Sequence, residues 1–192
     1  MITILSGSPR KGSNTLKTSK ALKRIVAGQG YSGEVKIIDF HEFDIPSLAQ
    51  GSIKIETLSS FQQNIKDSMT LSDVVFILTP EYNWFPSSEI ISFINAFARN
   101  DLKELWDNKV FAMCGISNGR GGRVPAIQLS YVINKVLNVM NLDSIVAPKI
   151  ADSQFTNIML NEEGDSLGNA EYDKGLEDFV SSVLRISKRW KS

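Results

Sequence analysis

The run Asp73-Val74-Val75-Phe76-Ile77-Leu78-Thr79 limits what this chain can become more than any other segment. Side chains of a strand alternate between two faces, so an unbroken apolar strand must be covered on both. Such a strand belongs at the centre of a parallel sheet flanked by helices. Other runs of the same kind fall at residues 2–5, 34–39, 109–116 and 144–147. Between them lie helical stripes. Residues 14–27 turn Leu16, Leu22, Ile25 and Val26 inward, and Leu58, Phe61, Ile65 and Met69 mark a second helix ending near residue 71. A third spans 88–99, a fourth carries Ala126, Leu129, Ile133, Val136 and Met140, and the last carries Leu176, Phe179, Val180 and Val183. Residues 152–169 read as loop. Strands alternating with helices predict βαβ units, here a three-layer α/β sandwich on a five-stranded parallel sheet. No repeat or linker divides the chain, so one domain over 1–192 is expected. Right-handed crossovers place the loops that follow the strands along one edge, where such sheets bind ligands.

Charge narrows the partners. Lys plus Arg number 21 and Asp plus Glu number 21. A net charge of zero argues against nucleic acid or an anionic membrane surface as partner. No apolar run approaches the roughly 20 residues of a membrane helix. The opening Met1-Ile2-Thr3-Ile4-Leu5 lacks a basic region and reaches glycine too soon for a signal peptide, so a cytoplasmic location is expected. A single cysteine, Cys114, precludes an intrachain disulfide or a multi-cysteine metal site. Lying in an apolar strand, it reads as a small core residue.

Three loops at the predicted carboxyl edge carry the chemistry. The first is Gly7-Ser8-Pro9-Arg10-Lys11-Gly12-Ser13-Asn14-Thr15. Glycines, small hydroxyls, an arginine and a helix N-terminus together suit a phosphate, while Ser13 or Asn14 also suits an ordinary N-cap. The spacing of Gly7 and Gly12 is that of a P-loop, but Ser13 stands where that motif needs lysine, so a terminal monophosphate fits better than a nucleoside triphosphate. The second loop is Thr79-Pro80-Glu81-Tyr82-Asn83-Trp84-Phe85-Pro86. Its aromatics either form one wall of a slot for a flat ring or pack beneath the loop or against a second subunit. The third is Ser117-Asn118-Gly119-Arg120-Gly121-Gly122-Arg123, whose glycines free backbone amides to face a ligand. Gly115-Ile116-Ser117-Asn118-Gly119 matches a hydrolase nucleophile elbow, which needs a later histidine. The sole histidine, His41, precedes it and reads as a loop or surface residue.

Taken together, these loops resemble those of the NAD(P)H-dependent FMN reductase family of flavodoxin-like proteins. The most specific piece is Pro80-Glu81-Tyr82-Asn83, the family's P-E-Y-N sequence after strand three. Gly7-Ser8-x-Arg10 through Ser13-Asn14 is similar to its phosphate loop. Ser117-x-Gly119-x-Gly121-Gly122 with Gln128-Leu129 resembles its third loop and helix. Ala147-Pro148-Lys149 and the acidic turn from Glu162 to Leu167 follow in the family's order. The phosphate loop is one residue shorter than the common form. The helix after P-E-Y-N reads Ile91-Ser92-Phe93-Ile94-Asn95-Ala96 where relatives carry Lys-Asn-Ala and Asp-Trp.

The resemblance implies sheet order 2-1-3-4-5 and FMN as cofactor. Ser8, Arg10, Ser13, Asn14 and Thr15 would hold its phosphate. Pro80, Glu81, Tyr82, Asn83 and Trp84 would run beside the isoalloxazine, with Glu81 read first as loop structure. Ser117, Asn118, Gly119, Arg120, Gly121 and Gly122 would close the pyrimidine end. NADPH or NADH would be the electron donor, with Arg120 or Arg123 placed to read a 2′-phosphate. Flavin, quinone or a similar small molecule would accept two electrons in a ping-pong cycle, and a homodimer or homotetramer is implied. The alternative is an FMN-binding electron carrier or redox sensor without nicotinamide turnover.

Overall fold

The computed structural model describes residues 1–190. Three strands, β1 (Ile2–Ser6), β3 (Val74–Pro80) and β4 (Val110–Ile116), are buried at every residue, as their apolar runs require. With β2 (Val35–Asp39) and β5 (Ile145–Val146) they form a parallel sheet in the order β2-β1-β3-β4-β5. This is the flavodoxin-like arrangement.

The sheet has a sixth strand that the sequence reading did not separate from loop. β6 (Ala151–Ser153) also pairs with β4, beyond β5. Phe111 faces Val146 while Cys114 faces Ala151, so three steps along β4 correspond to five along the edge. The edge strand is therefore one strand broken by a bulge. Pro148, with no N–H to offer the ladder, lies in the break.

Helices cover both faces. On one, α1 (Asn14–Gly28) and α6 (Ala170–Trp190) bring Leu22, Val26, Phe179 and Val180 onto Ile4, Phe76 and Ala112. On the other, α2 (Ser60–Thr70), α3 (Ser88–Phe97) and α4 (Arg123–Met140) bring Phe61, Ile65, Phe93, Leu129 and Ile133 onto Leu5, Ile77 and Phe111. Ile4 and Leu5, adjacent in sequence, serve opposite cores, which is the alternation that a doubly covered strand demands. Cys114 is fully buried, and burial pushes its thiol far above the ordinary range.

α1 departs from its simple stripe. Leu16 and Ile25 are only half-buried, whereas Lys17, Thr18 and Ser19 are buried. A turn after α5 (Thr156–Met159) covers the side of the helix that carries Lys17, while Thr18 donates to the Ser153 hydroxyl at 3.3 Å. Lys17 pairs with Glu162 at 2.7 Å, Lys20 with Glu163 at 2.9 Å, and Arg24 with Asp165. Gly164, at φ +74°, packs so closely on α1 that a Cβ would lie 2.3 Å from the Lys17 carbonyl oxygen. Both α5 and this turn fall in the stretch 152–169 read as loop.

Candidate active site

The first loop leaves β1 at Gly7, whose N–H donates to the Leu78 carbonyl at 2.9 Å. A Cβ there would lie 2.6 Å from that same oxygen and overlap Ile90, so only glycine fits. Ser87 ties this loop to the second: its hydroxyl donates to the Gly7 carbonyl at 2.7 Å, and its N–H donates to the Thr79 hydroxyl at 3.0 Å. Gly12, at φ +60°, turns the chain into α1. Ser13 is the N-cap, its oxygen accepting the Leu16 N–H at 3.1 Å, and its hydroxyl proton stays available to a ligand. The Thr15 hydroxyl is buried without a hydrogen-bond partner. A buried polar group left unpaired at a helix N-terminus is what an anion would satisfy.

The second loop is a tight hairpin. Tyr82 and Phe85 exchange backbone hydrogen bonds of 3.0 and 3.1 Å around Asn83 and Trp84, at φ +50° and +65°. Positive φ at both central positions is the type I′ geometry. Trp84 is 68% and Phe85 62% exposed, so neither packs beneath the loop. The Arg10 guanidinium sits 5.2 Å from the centre of the Tyr82 ring, a cation–π contact joining the first two loops.

The third loop is fixed by close backbone approach. A Cβ on Gly115 would fall 1.7 Å from the Gly122 carbonyl oxygen. Gly122 donates its N–H to the Glu81 carboxylate, and Glu81 donates its own N–H to the Ile116 carbonyl at 2.8 Å. Glu81 thereby pins the second loop to the third. The Asn14 amide donates to the Asn118 side-chain oxygen, bridging the first loop to the third. Behind them, Ser117 N–H donates to the Ser153 carbonyl at 2.9 Å, and the Thr156 hydroxyl lies 3.2 Å from the Ser117 carbonyl. The Ser153 hydroxyl meets the Tyr172 phenol at 2.6 Å, and burial pushes that phenol up to about 12. The strand β6 thus braces the loop it adjoins.

These loops enclose a polar cleft of about 490 Å³. Of the residues expected at the site, Ser8, Arg10, Ser13, Asn14 and Thr15 line it from the first loop. Pro80, Glu81 and Tyr82 line it from the second, and Ser117 and Asn118 from the third. Asn83, Trp84, Gly119, Arg120, Gly121 and Gly122 are not among its walls. The I′ turn carries Asn83 and Trp84 beyond it, and Gly121 and Gly122 lie against Glu81. Arg123 is held by Asp152 at 3.1 Å. Lys11, Gly12, Ile116 and Asn157 also line the cleft. Lys11 and Gly12 were visible in the phosphate-loop motif. Asn157 was not, because a four-residue helix shows no period.

A doubly wound sheet of this order, with three loops meeting in a polar cleft at its carboxyl edge, defines a flavodoxin-like α/β protein built to hold a phosphorylated ligand. The profile of the NADPH-dependent FMN reductase family matches residues 1–152, and the chain belongs to that family. It is an oxidoreductase whose cofactor is FMN and whose donor is a reduced nicotinamide. No curated protein matches the chain. FerB from Paracoccus denitrificans, a flavoenzyme NAD(P)H:(acceptor) oxidoreductase, is similar in structure at TM-score 0.73 and 20% identity. That match covers 98% of this chain and 97% of FerB. An oxidoreductase from Corynebacterium diphtheriae matches at 0.67 and 17%, covering 98% and 96%. The NADH:FMN oxidoreductase EmoB, in its apo form, matches at 0.58 and 16%, covering 95% and 89%. At these identities the structures speak for the fold. The residues fit FMN on their own chemistry: the unpaired Thr15 hydroxyl, the Ser13 cap and Arg10 converge where a phosphate would sit.

Proposed function

We propose that this chain is a single FMN-binding domain over 1–192, passing two electrons from NADPH or NADH to flavin, quinone or a similar small acceptor in two alternating half-reactions. The observation that carries this reading is the buried, unpaired Thr15 hydroxyl in a cleft shared with the P-E-Y-N hairpin. FMN, when bound, supplies the hydride and electron chemistry, so the protein's part is position and electrostatics. Ser8, Arg10, Ser13, Asn14 and Thr15 hold the phosphate. Arg10, lying over Tyr82, carries the position of the phosphate loop to the ring-facing loop. Glu81 fixes the spacing of the second and third loops through the Gly122 N–H. The backbone amides from Ser117 to Gly122 offer hydrogen bonds to negative charge at the pyrimidine edge. No side chain is required to remove a proton, in keeping with a single exposed histidine.

Beside the cleft, the exposed Trp84 and Phe85 offer a flat apolar surface to ring-shaped substrates. Among the described residues no helix is long and apolar enough to cross a membrane. A cytoplasmic homodimer or homotetramer completes the reading. Anaerobic titration of the FMN-loaded protein with NADPH, and separately with NADH, tests it through the visible flavin absorbance. Stoichiometric bleaching is expected, the faster donor being the physiological one. Bound FMN that neither donor bleaches would point instead to an electron carrier or redox sensor.

A further inference from the structure

The family match ends at residue 152, but the cleft does not. A further part of its wall is Asn157, on α5. Several constraints fix that short helix against the third loop. Phe155, just before it, adopts φ +48°, a left-handed conformation that is unfavourable for any residue carrying a Cβ. The Phe155 N–H donates to the Gly119 carbonyl at 3.1 Å. The Thr156 N–H and hydroxyl both lie 3.2 Å from the Ser117 carbonyl. The Thr156 hydroxyl also meets that of Ser153 at 2.6 Å, and Ser153 is anchored to Tyr172 on α6.

Backbone strain held in place by surrounding contacts concentrates at functional sites. Here it delivers a carboxamide to the cleft. Asn157 is exposed to the open side of the cleft, which it shares with Arg10, Lys11, Ser13 and Thr15, as well as with Glu81 and Asn118. The first four are cations and hydroxyls, the donor set of an anion site, while the Glu81 carboxylate is taken up by the Gly122 N–H. A further neutral donor there complements them, whereas a carboxylate would oppose the same ligand.

We propose that Asn157 is a cofactor-binding residue whose side-chain N–H donates to the phosphate of FMN. The segment beyond the family match thus adds a donor to the phosphate that the first loop holds. This rests on the FMN reading above.

The test is flavin affinity of the full-length protein stripped of flavin, read in the dark without nicotinamide by quenching of flavin fluorescence. Asn157→Ala is expected to raise the Kd for FMN roughly tenfold, the scale of one hydrogen bond to a charged group. Asn157→Asp should weaken FMN further, because its carboxylate meets the phosphate. Both variants should bind riboflavin, which lacks the phosphate, within about twofold of the unsubstituted protein, a change too small to reflect a lost hydrogen bond. Unchanged FMN affinity in both variants would overturn the proposal while leaving the FMN reading intact. Equal losses for riboflavin and FMN would overturn it as well, by showing a general disturbance of the site. Failure of the unsubstituted protein to bind either flavin would overturn both.

Discussion

Single atoms at this site have opposite effects on stability and on binding. The Thr15 hydroxyl is buried and unpaired, which costs about 1–3 kcal/mol of desolvation when no ligand is present. Thr15→Val keeps the shape and removes that penalty. Urea unfolding of the flavin-free variant should show stability raised by about 1 kcal/mol, while its FMN affinity falls roughly tenfold. Losses in both would mean that the hydroxyl supports the fold. Asp39 is a second case, at the end of β2. Its oxygen accepts the His41 N–H at 3.2 Å, and burial raises its carboxyl above the ordinary value of 3.8. The raised group favours the protonated form in the fold. Its stabilising contribution is therefore complete below that ordinary value and lost as pH rises through the folded one. Asp39→Asn keeps the capping oxygen without the charge. It should melt higher than the parent at pH 7, with the difference closing below about pH 4.

At the scale of elements, the P-E-Y-N hairpin shows what the sequence could and could not reveal. Its place after β3 was legible from the motif, and so was the phosphate loop, because each depends on particular side chains at fixed spacing. The conformation was not. A type I′ turn favours Asn-Gly, and Asn83-Trp84 gives no sign that a bulky aromatic adopts φ +65°. Trp84→Gly restores the preferred pair and removes about 1–2 kcal/mol of left-handed strain. Part of that gain is lost to the greater freedom of glycine in the unfolded chain. A rise in Tm of a few degrees is expected, since about 1 kcal/mol shifts a chain of this size by roughly 2–4 °C. If Trp84 also serves ring-shaped acceptors, the same variant should show a higher KM for a quinone at unchanged FMN affinity. Local pattern found β5 through its apolar run at 144–147 but failed at β6 and α5. Elements of three or four residues carry no period, and β6 exists only because β4 offers it a ladder. Lys17 and Thr18 are buried for a related reason, since segments far along the chain meet them, the acidic turn at Lys17 and Ser153 at Thr18.

The whole fold was readable because its main elements are long and strongly patterned: consecutive apolar strands, helical stripes, and crossovers whose handedness leaves few topologies. What pattern cannot supply is the partner of an exposed face. α3 and α4 leave a groove of about 470 Å³ between them, lined by Ile94, Val132, Val136 and Met140. Tyr131, 73% exposed, and Val139 stand along it. The groove lies along the C-terminal parts of α3 and α4, whereas the active-site loops join the N-terminal ends of both helices, so a second copy seated here would leave the cleft open. With zero net charge, two copies meet without long-range repulsion. A homodimer through this face is the expected assembly. Light scattering should find the parent chain at twice its monomer mass and the double variant Tyr131→Lys, Val139→Lys at monomer mass. Placing two ammonium groups in an apolar interface leaves them unpaired and poorly hydrated, a penalty large enough to separate the subunits. Because neither residue lines the FMN cleft, the variant should bind FMN as the parent does. A variant that remains dimeric would move the contact to another surface, and a parent that is monomeric at high concentration would remove the second copy altogether.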